Sequence, residues 1–442
     1  MKLSVDFKKP QRPVGELNGT NNGPLLVFTD RSAEYRDMGV KFVRFHETHS
    51  IETNCIEIPF IFRDNDKDET KPENYYFGAT DAVIRAAHDE GIEIMYRLGM
   101  GTEATFPRRF LFVPDDYMKW ARIAEHIIMH YNEGWANGFH SGIKYWEIWN
   151  EADLIEYWPG KRMEYINFYS QVSNYLKKRF PDILIGPSGF ADLYEYDERY
   201  IEDKKNNRSR IKFFDELMRR YTAGEYPMDF FPWHIYARTS KKTAARCRII
   251  RDLLTRHGVY GKIEVINTEW NQMSLRRDPG APWGGWDFYQ IIDQAHGVAL
   301  LNSMIIMQKN GVTKAAYYRP DESSRFCGLF DFDGSKKNHY YVFKAFNMLK
   351  QAKTEVETQG GDEQVQICAA TDGKQGVLII GNEGERGRRI ELSVKGLSDL
   401  ACSRYVYSEK EKLKKHADRL KPCFVIPGAT AFIYTFGQED EV

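Results

Sequence analysis

The sequence predicts a (β/α)8 barrel followed by an antiparallel β-sandwich, and three observations carry that reading. Strand-like and helix-like segments alternate about eight times before residue 351, as a barrel of this kind requires. No Gly-x-Gly-x-x-Gly follows a first strand, which sets aside the rival doubly wound open sheet. From about residue 355 the helical periodicity stops, and short alternating strands separated by turn residues take over. The predicted division is a barrel over 11–352 and a β unit over 353–442, the latter joined by an N-terminal strand within 1–10. We read the β unit as a brace.

The elements follow in order. Residues 3–7 alternate like a strand, which Pro10 and Pro13 break. A short strand and a long Asn/Gly-rich loop run from Gly15 to Pro24. A helix over 30–38 stops at Gly39, strand 41–46 follows, and 50–77 is a long polar, aromatic-rich loop. Helix 79–90 ends at Gly91, then come strand 93–98, helix 115–132, strand 144–150 and helix 162–179, stopped by Pro181. The alternation continues with strand 183–186, helix 210–222, strand 230–236, helix 241–257, strand 263–269, helix 287–309 and strand 314–318, and a helix over 339–351 closes the barrel. The β unit shows strands at 365–369, 376–380, 388–394, 403–407 and 431–436, with turns such as Asp372-Gly373 and Asn382-Glu383-Gly384 between them.

Composition excludes several function classes. The 442 residues carry a net charge of −1 with no long basic run, so nucleic acid is not an expected partner. No apolar run is long enough to cross a bilayer, so neither is a membrane. The first residues lack the apolar core of a secretion signal. The expected location is therefore cytoplasmic, or periplasmic or secreted if a leader has been removed. None of Cys55, Cys247, Cys327, Cys368, Cys402 and Cys423 forms a Cys-x-x-Cys pair, which favours free thiols and leaves room for one disulfide in the C-terminal region.

The candidate site comes from two matching stretches. Lys144–Asn150 is rich in aromatic and β-branched residues and runs into Glu151, and Ile263–Thr268 likewise runs into Glu269. Both glutamates fall at C-terminal ends of strands, the fourth and the seventh, where a barrel places its active site. Strict alternation puts Glu151 on one face with Trp149 and Glu147, and Glu269 with Asn267 and Val265. Cleaving a glycosidic bond takes two carboxylates, one to protonate the leaving oxygen and one to attack or to activate water. Trp149 and Trp146 would give the protonated one an apolar setting. Arg44 and Arg97 have a second reading, neutralising Glu147 inside the barrel. Trp283 and Trp286, in the loop after Glu269, are read as a subsite wall. His126 and His130 have metal-ligand spacing but lack the zincin glutamate, and no metal or other cofactor is expected.

The motifs carry a resemblance. Trp149-Asn150-Glu151-Ala152-Asp153-Leu154 resembles the acid/base signature of glycoside hydrolase clan A. Thr268-Glu269-Trp270-Asn271 is similar to the nucleophile segment of glycoside hydrolase family 39, the family of β-xylosidases and α-L-iduronidases. Phe42–His46, Trp233–Tyr236 and the Gly328–Asp331 segment with Lys337-Asn338 also resemble that family, over most of residues 14–350. The resemblance implies Glu151 as general acid/base and Glu269 as nucleophile of a retaining double displacement. It implies that Asn150 binds the sugar 2-hydroxyl, that Arg44 and Tyr236 hold Glu269 ionised, and that His46 and His234 line the sugar subsite. The carboxyl separation should then lie near roughly 5–5.5 Å, against roughly 6.5–9.5 Å for an inverting pair. The expected partner is a glycoside or oligosaccharide, cleaved by exo action in β-xylosidase fashion; the oligomeric state is left open.

Two departures from the family pattern stand out. Ala152 replaces the usual proline after the acid/base glutamate. The eighth strand ends in Tyr317-Tyr318-Arg319-Pro320-Asp321-Glu322, where family xylosidases carry a tryptophan and a Ser-Asp pair. Arg319 would bring a cation close to the sugar, which opens an alternative: another sugar specificity, such as a uronic acid, arabinose, galactose or glucose. A non-catalytic carbohydrate-binding barrel and a metal-dependent isomerase are the rivals from other classes.

Overall fold

The computed structural model describes residues 1–26, 29–46, 49–50, 53–101, 113–191, 193, 203–272, 294–322, 328–331, 333–397, 401–416 and 420–437. Eight parallel strands form the barrel: Glu16–Asn21, Phe42–Phe45, Glu93–Leu98, Tyr145–Ile148, Leu184–Gly186, Phe230–Tyr236, Glu264–Asn271 and Lys314–Tyr317. Neighbours in sequence are neighbours in the sheet, and the first strand pairs with the eighth. The seam lies between the fifth and sixth strands. There the Asp229 amide donates to the Ile185 carbonyl at 2.8 Å and the His234 amide to the Phe190 carbonyl at 2.9 Å. Helices such as Tyr117–Asn132, Arg162–Arg179 and Ser240–Arg256 follow the strands, each with an apolar stripe turned inward.

The period of two along the strands builds the barrel interior in layers. Phe42, Met95, Tyr145, Phe230, Ile266 and Ala316 make an apolar layer. Two residues further along the second, third, fourth and seventh strands come Arg44, Arg97, Glu147 and Thr268, which are fully buried and polar. The apolar layer holds the lower barrel shut, and the polar one forms the floor of the cleft above it.

Several boundaries differ from expectation. The fourth strand ends at Ile148, because Trp149 and Glu151 both take a left-handed backbone, with φ of 76° and 42°. The helix after the fifth strand begins at Asp203 rather than 210. The 50–77 segment carries a helix at Ile58–Ile61 and a turn at Pro72–Asn74. The strand at the N-terminus runs through both prolines, Lys2 to Pro13. Its ladder shifts register between Asp6 and Pro10 and again between Pro10 and Pro13, so the pairing is irregular where the N–H groups are missing.

The β unit is one nine-stranded sheet. Three of its strands, Thr354–Gln359, Lys412–His416 and Cys423–Ile426, were not expected from the sequence. Lys412–His416 lies at an edge, where lysines suit an exposed strand but hide the apolar alternation. The sheet folds over on itself: Phe7 meets Phe436 at 5.4 Å between ring centroids, and Phe424 meets Phe432 at 5.8 Å. Pairing is antiparallel except between Lys2–Pro13 and Arg388–Lys395, which run parallel. No disulfide joins any of Cys55, Cys247, Cys368, Cys402 and Cys423, the cysteines among the described residues.

One face of the folded sheet packs on the barrel. Cys368, Val377, Ile379 and Ile433 join the same apolar core as helices Gln294–Lys309 and Asn338–Gln351. Asn302 donates to Glu383 at 3.1 Å and the Tyr407 hydroxyl to the Asn338 carbonyl at 3.2 Å. Truncating fully buried Ile379 to alanine should therefore destabilise the whole molecule by about 2–5 kcal/mol. Thermal unfolding followed by near-UV circular dichroism should show one lowered transition, whereas two separated transitions would mean that sheet and barrel unfold independently.

Candidate active site

Each residue at the cleft floor is delivered by a strand end. Arg44, at the end of the second strand, is fully buried and reaches in three directions. Its Nε donates to Glu147 Oε2 at 2.6 Å, one terminal nitrogen donates to Glu269 Oε2 at 3.1 Å and to Asn21 Oδ1 at 3.0 Å, and the other donates to Asn150 Oδ1 at 2.9 Å. Burial opposes the guanidinium charge, but Glu147 and Glu269 together outweigh it and raise its pKa. Arg97 does not share Glu147. It donates to His46 Nδ1 at 3.2 Å and to the His46 carbonyl at 2.6 Å, and lies 3.5 Å from Glu57.

Glu269 accepts from the Tyr236 hydroxyl at 2.5 Å, and His46 Nε2 lies 3.6 Å from its Oε2. Burial and the Glu269 charge push the Tyr236 phenol well above its usual range, so it stays a donor. Glu151 is held from the other side, by His234 Nδ1 at 2.7 Å from Oε1. Both glutamates are only 6 % exposed. One oxygen of each, together with a ring nitrogen of His234, lie within 4.8 Å of one another. The same three atoms are spaced as the ligands of a small cation would be.

Alternation fails at both glutamates, and local backbone explains why. On the fourth strand Ile148 and Trp149 both turn outward. Trp149 packs edge-on against Trp158 and Phe168 and donates to the Tyr157 carbonyl at 2.8 Å. Trp146 stacks on Tyr96 in the outer layer. The expected tryptophan setting of Glu151 is therefore corrected: both rings pack into the outer layer, and His234 is the polar side chain seen against Glu151. On the seventh strand a bulge breaks the register. Trp233 pairs with Asn267 and His234 with Glu269, so Thr268 is skipped. Asn267 faces Met307 on an outer helix, whereas Thr268 and Glu269 both reach the cleft.

The remaining candidates divide. Asn150 is buried with its Oδ1 on Arg44, and its Nδ2 has no hydrogen-bond partner among the described residues. Arg319 bonds Asp321 on its own loop. Trp283 and Trp286 lie outside the described residues. His130 is accounted for by Asp81 at 2.9 Å and the Trp135 carbonyl at 2.8 Å, and His126 by the Arg122 carbonyl at 2.7 Å. Sequence reasoning missed Asn21 and Tyr318. Asn21 ends the first strand and donates to the Thr268 and Ala316 carbonyls at 3.1 and 2.8 Å. Tyr318 meets the His46 ring at 6.0 Å and the Tyr236 ring at 6.3 Å. A polar or aromatic residue closing a buried strand was the available signal, as it was for the glutamates.

Solved structures of low sequence identity share this architecture over nearly the full chain. A glucosidase from Croceicoccus marinus superposes with a TM-score of 0.75 at 19% identity, covering 99% of each chain. A GH39 β-xylosidase from Caulobacter crescentus gives 0.69 at 14% identity, covering 99% of this chain and 100% of that one. A family 51 α-L-arabinofuranosidase from Bifidobacterium longum gives 0.65 at 14% identity, covering 98% of each. These share the barrel-plus-β-sandwich fold with the chain. The sequence model of glycosyl hydrolases family 39 matches residues 29–386, and the chain belongs to that family as a glycoside hydrolase.

Proposed function

We propose that the protein is a retaining, exo-acting glycosidase of β-xylosidase type, with Glu151 as acid/base and Glu269 as nucleophile. The observation that carries this is the approach of the two buried carboxylates to within 4.8 Å between nearest oxygens. That spacing suits a retaining pair at roughly 5–5.5 Å better than an inverting pair at roughly 6.5–9.5 Å, which must admit a water. Glu269 attacks the anomeric carbon while the Glu151 carboxyl gives its proton to the departing glycosidic oxygen, which keeps the electron pair of the broken bond. Water then attacks the glycosyl-enzyme, losing a proton to Glu151 as Glu269 leaves with its electrons. Arg44 and Tyr236 hold Glu269 as an anion aimed at the sugar. The Asn150 amide hydrogens, its oxygen already committed, suit a hydroxyl beside the reacting carbon. Asp321 balances the Arg319 charge, which favours a neutral sugar over a uronate.

Release of 4-nitrophenol from α- and β-glycosides of xylose, arabinose, glucose, galactose, fucose and glucuronic acid tests this reading. The β-xyloside should be cleaved fastest, with the product's anomeric configuration retained by NMR. Inversion would exclude Glu269 as nucleophile, and preference for another glycoside would reassign the sugar. Activity lost to a chelator and restored by a divalent cation would instead favour a metal bound at Glu151, His234 and Glu269.

A further inference from the structure

We infer that a hydrogen-bond chain from Glu147 through Thr268 fixes the tautomer of His234, and that His234 thereby keeps the proton on Glu151. This rests on the reading of Glu151 as acid/base. The chain has a direction that can be worked out from its first member. Glu147 is fully buried and ion-paired with Arg44 through Oε2 at 2.6 Å. Its other oxygen receives the Gly189 amide at 3.0 Å and the Thr268 hydroxyl at 3.2 Å. An ionised carboxylate only accepts, so the single hydrogen of Thr268 goes to Glu147. Thr268 Oγ1 then has only lone pairs to offer His234 Nε2 at 3.1 Å, and Nε2 must carry a hydrogen.

A neutral imidazole has one N–H. With the hydrogen on Nε2, Nδ1 presents a lone pair to Glu151 Oε1 at 2.7 Å. Two lone pairs do not share that distance, so the proton between them belongs to Glu151. The charged groups around the ring are Glu151, Glu269 with Oε2 3.9 Å from Nδ1, Glu147 and Arg44 behind Thr268, and Arg246, which donates to the His234 carbonyl at 3.2 Å. Burial holds His234 at about 4, with Arg44 assisting and Glu269 opposing, so an imidazolium does not form near neutral pH. Gly189 closes the ring in from one side: a Cβ there would run into Nε2.

The arrangement serves both halves of the reaction. Before bond cleavage it favours the acid form of Glu151. Afterwards the Glu151 carboxylate faces the Nδ1 lone pair, which drives it to take a proton from the attacking water. Glu147, Thr268 and His234 are thus positioning residues acting through Glu151. The bulge that skips Thr268 in the strand register accompanies its reach to both His234 and Glu147.

Histidine-selective 15N NMR reads the tautomer directly, with the His234 signals assigned by their loss in His234→Asn. The expected result near neutral pH is a protonated Nε2 and a bare Nδ1, and a protonated Nδ1 would overturn the inference. In Thr268→Val the ring is free to turn an Nδ1–H toward Glu151 and stabilise its anion. The basic limb of the kcat/KM profile on an aryl glycoside should then move to lower pH by about one unit or more, and Thr268→Ser should restore it. An unmoved limb in Thr268→Val would equally overturn the inference. The NMR result does not depend on turnover. If no glycoside is cleaved but Nε2 is protonated, the proposed reaction fails and the chain stands.

Discussion

Glu269→Gln should lower turnover of the preferred aryl glycoside by on the order of 10⁴-fold or more, while the protein still folds and binds. The amide is nearly isosteric, and it still accepts the Tyr236 hydroxyl that lies 2.5 Å from Oε1. What disappears is the charge and the nucleophilic oxygen. Glu151→Gln should behave differently. Its loss, about 10²–10⁴-fold, should be large for a poor leaving group and small for a good phenolate that departs without a proton. Steady-state rates across leaving groups of graded acidity distinguish the two. If Glu269→Gln keeps wild-type activity, the nucleophile is elsewhere. If both variants show the same dependence on leaving group, the division of roles is wrong.

Arg44→Met should produce the largest loss of stability of any single substitution at the cleft. Arg44 carries the only cation drawn to both Glu147 and Glu269 among the described ion pairs, and its side chain and that of Glu147 are completely buried. Removing one partner of such a pair leaves an uncompensated buried charge, at a cost of about 3–5 kcal/mol. Urea unfolding at neutral pH should show it. The double variant Arg44→Met with Glu147→Gln should recover part of the loss, because no orphaned carboxylate then remains on that strand. A double variant no more stable than the single one would mean that packing of the long arginine stem, rather than its charge, carries the effect.

How much of this was legible in the sequence follows from which physical signals are local. The period of two gave the strands, and glycine and proline gave many helix ends: Arg162–Arg179, Glu93–Leu98 and Phe230–Tyr236 were read to the residue. The placement of Glu151 and Glu269 at strand ends was also readable: a glutamate closing a strand is usually a solvated surface residue, and the matching motifs around these two singled them out. Alternation could not reveal where it stops. The left-handed turn at Trp149 and the bulge at Thr268 are set by contacts with strands distant in sequence, so the expected faces of Trp149 and Asn267 came out wrong. His234 was expected to line the sugar subsite, and nothing in its own segment could say that it would lie against Glu151. Edge strands such as Lys412–His416 were missed because exposure removes the apolar pattern that marks a strand.

The strand Lys2–Pro13 has a consequence for how the molecule is made. It pairs on one side with Thr354–Gln359 and on the other with Arg388–Lys395. During synthesis this segment is translated before the barrel, yet its hydrogen-bonding partners are translated only after it. Until then it carries two unsatisfied edges beside a folding barrel, and closing the sheet must bring together segments that flank the whole barrel in sequence. The outer sheet is therefore completed only after the barrel's sequence has been made, and Lys2–Pro13 is the strand whose insertion closes it.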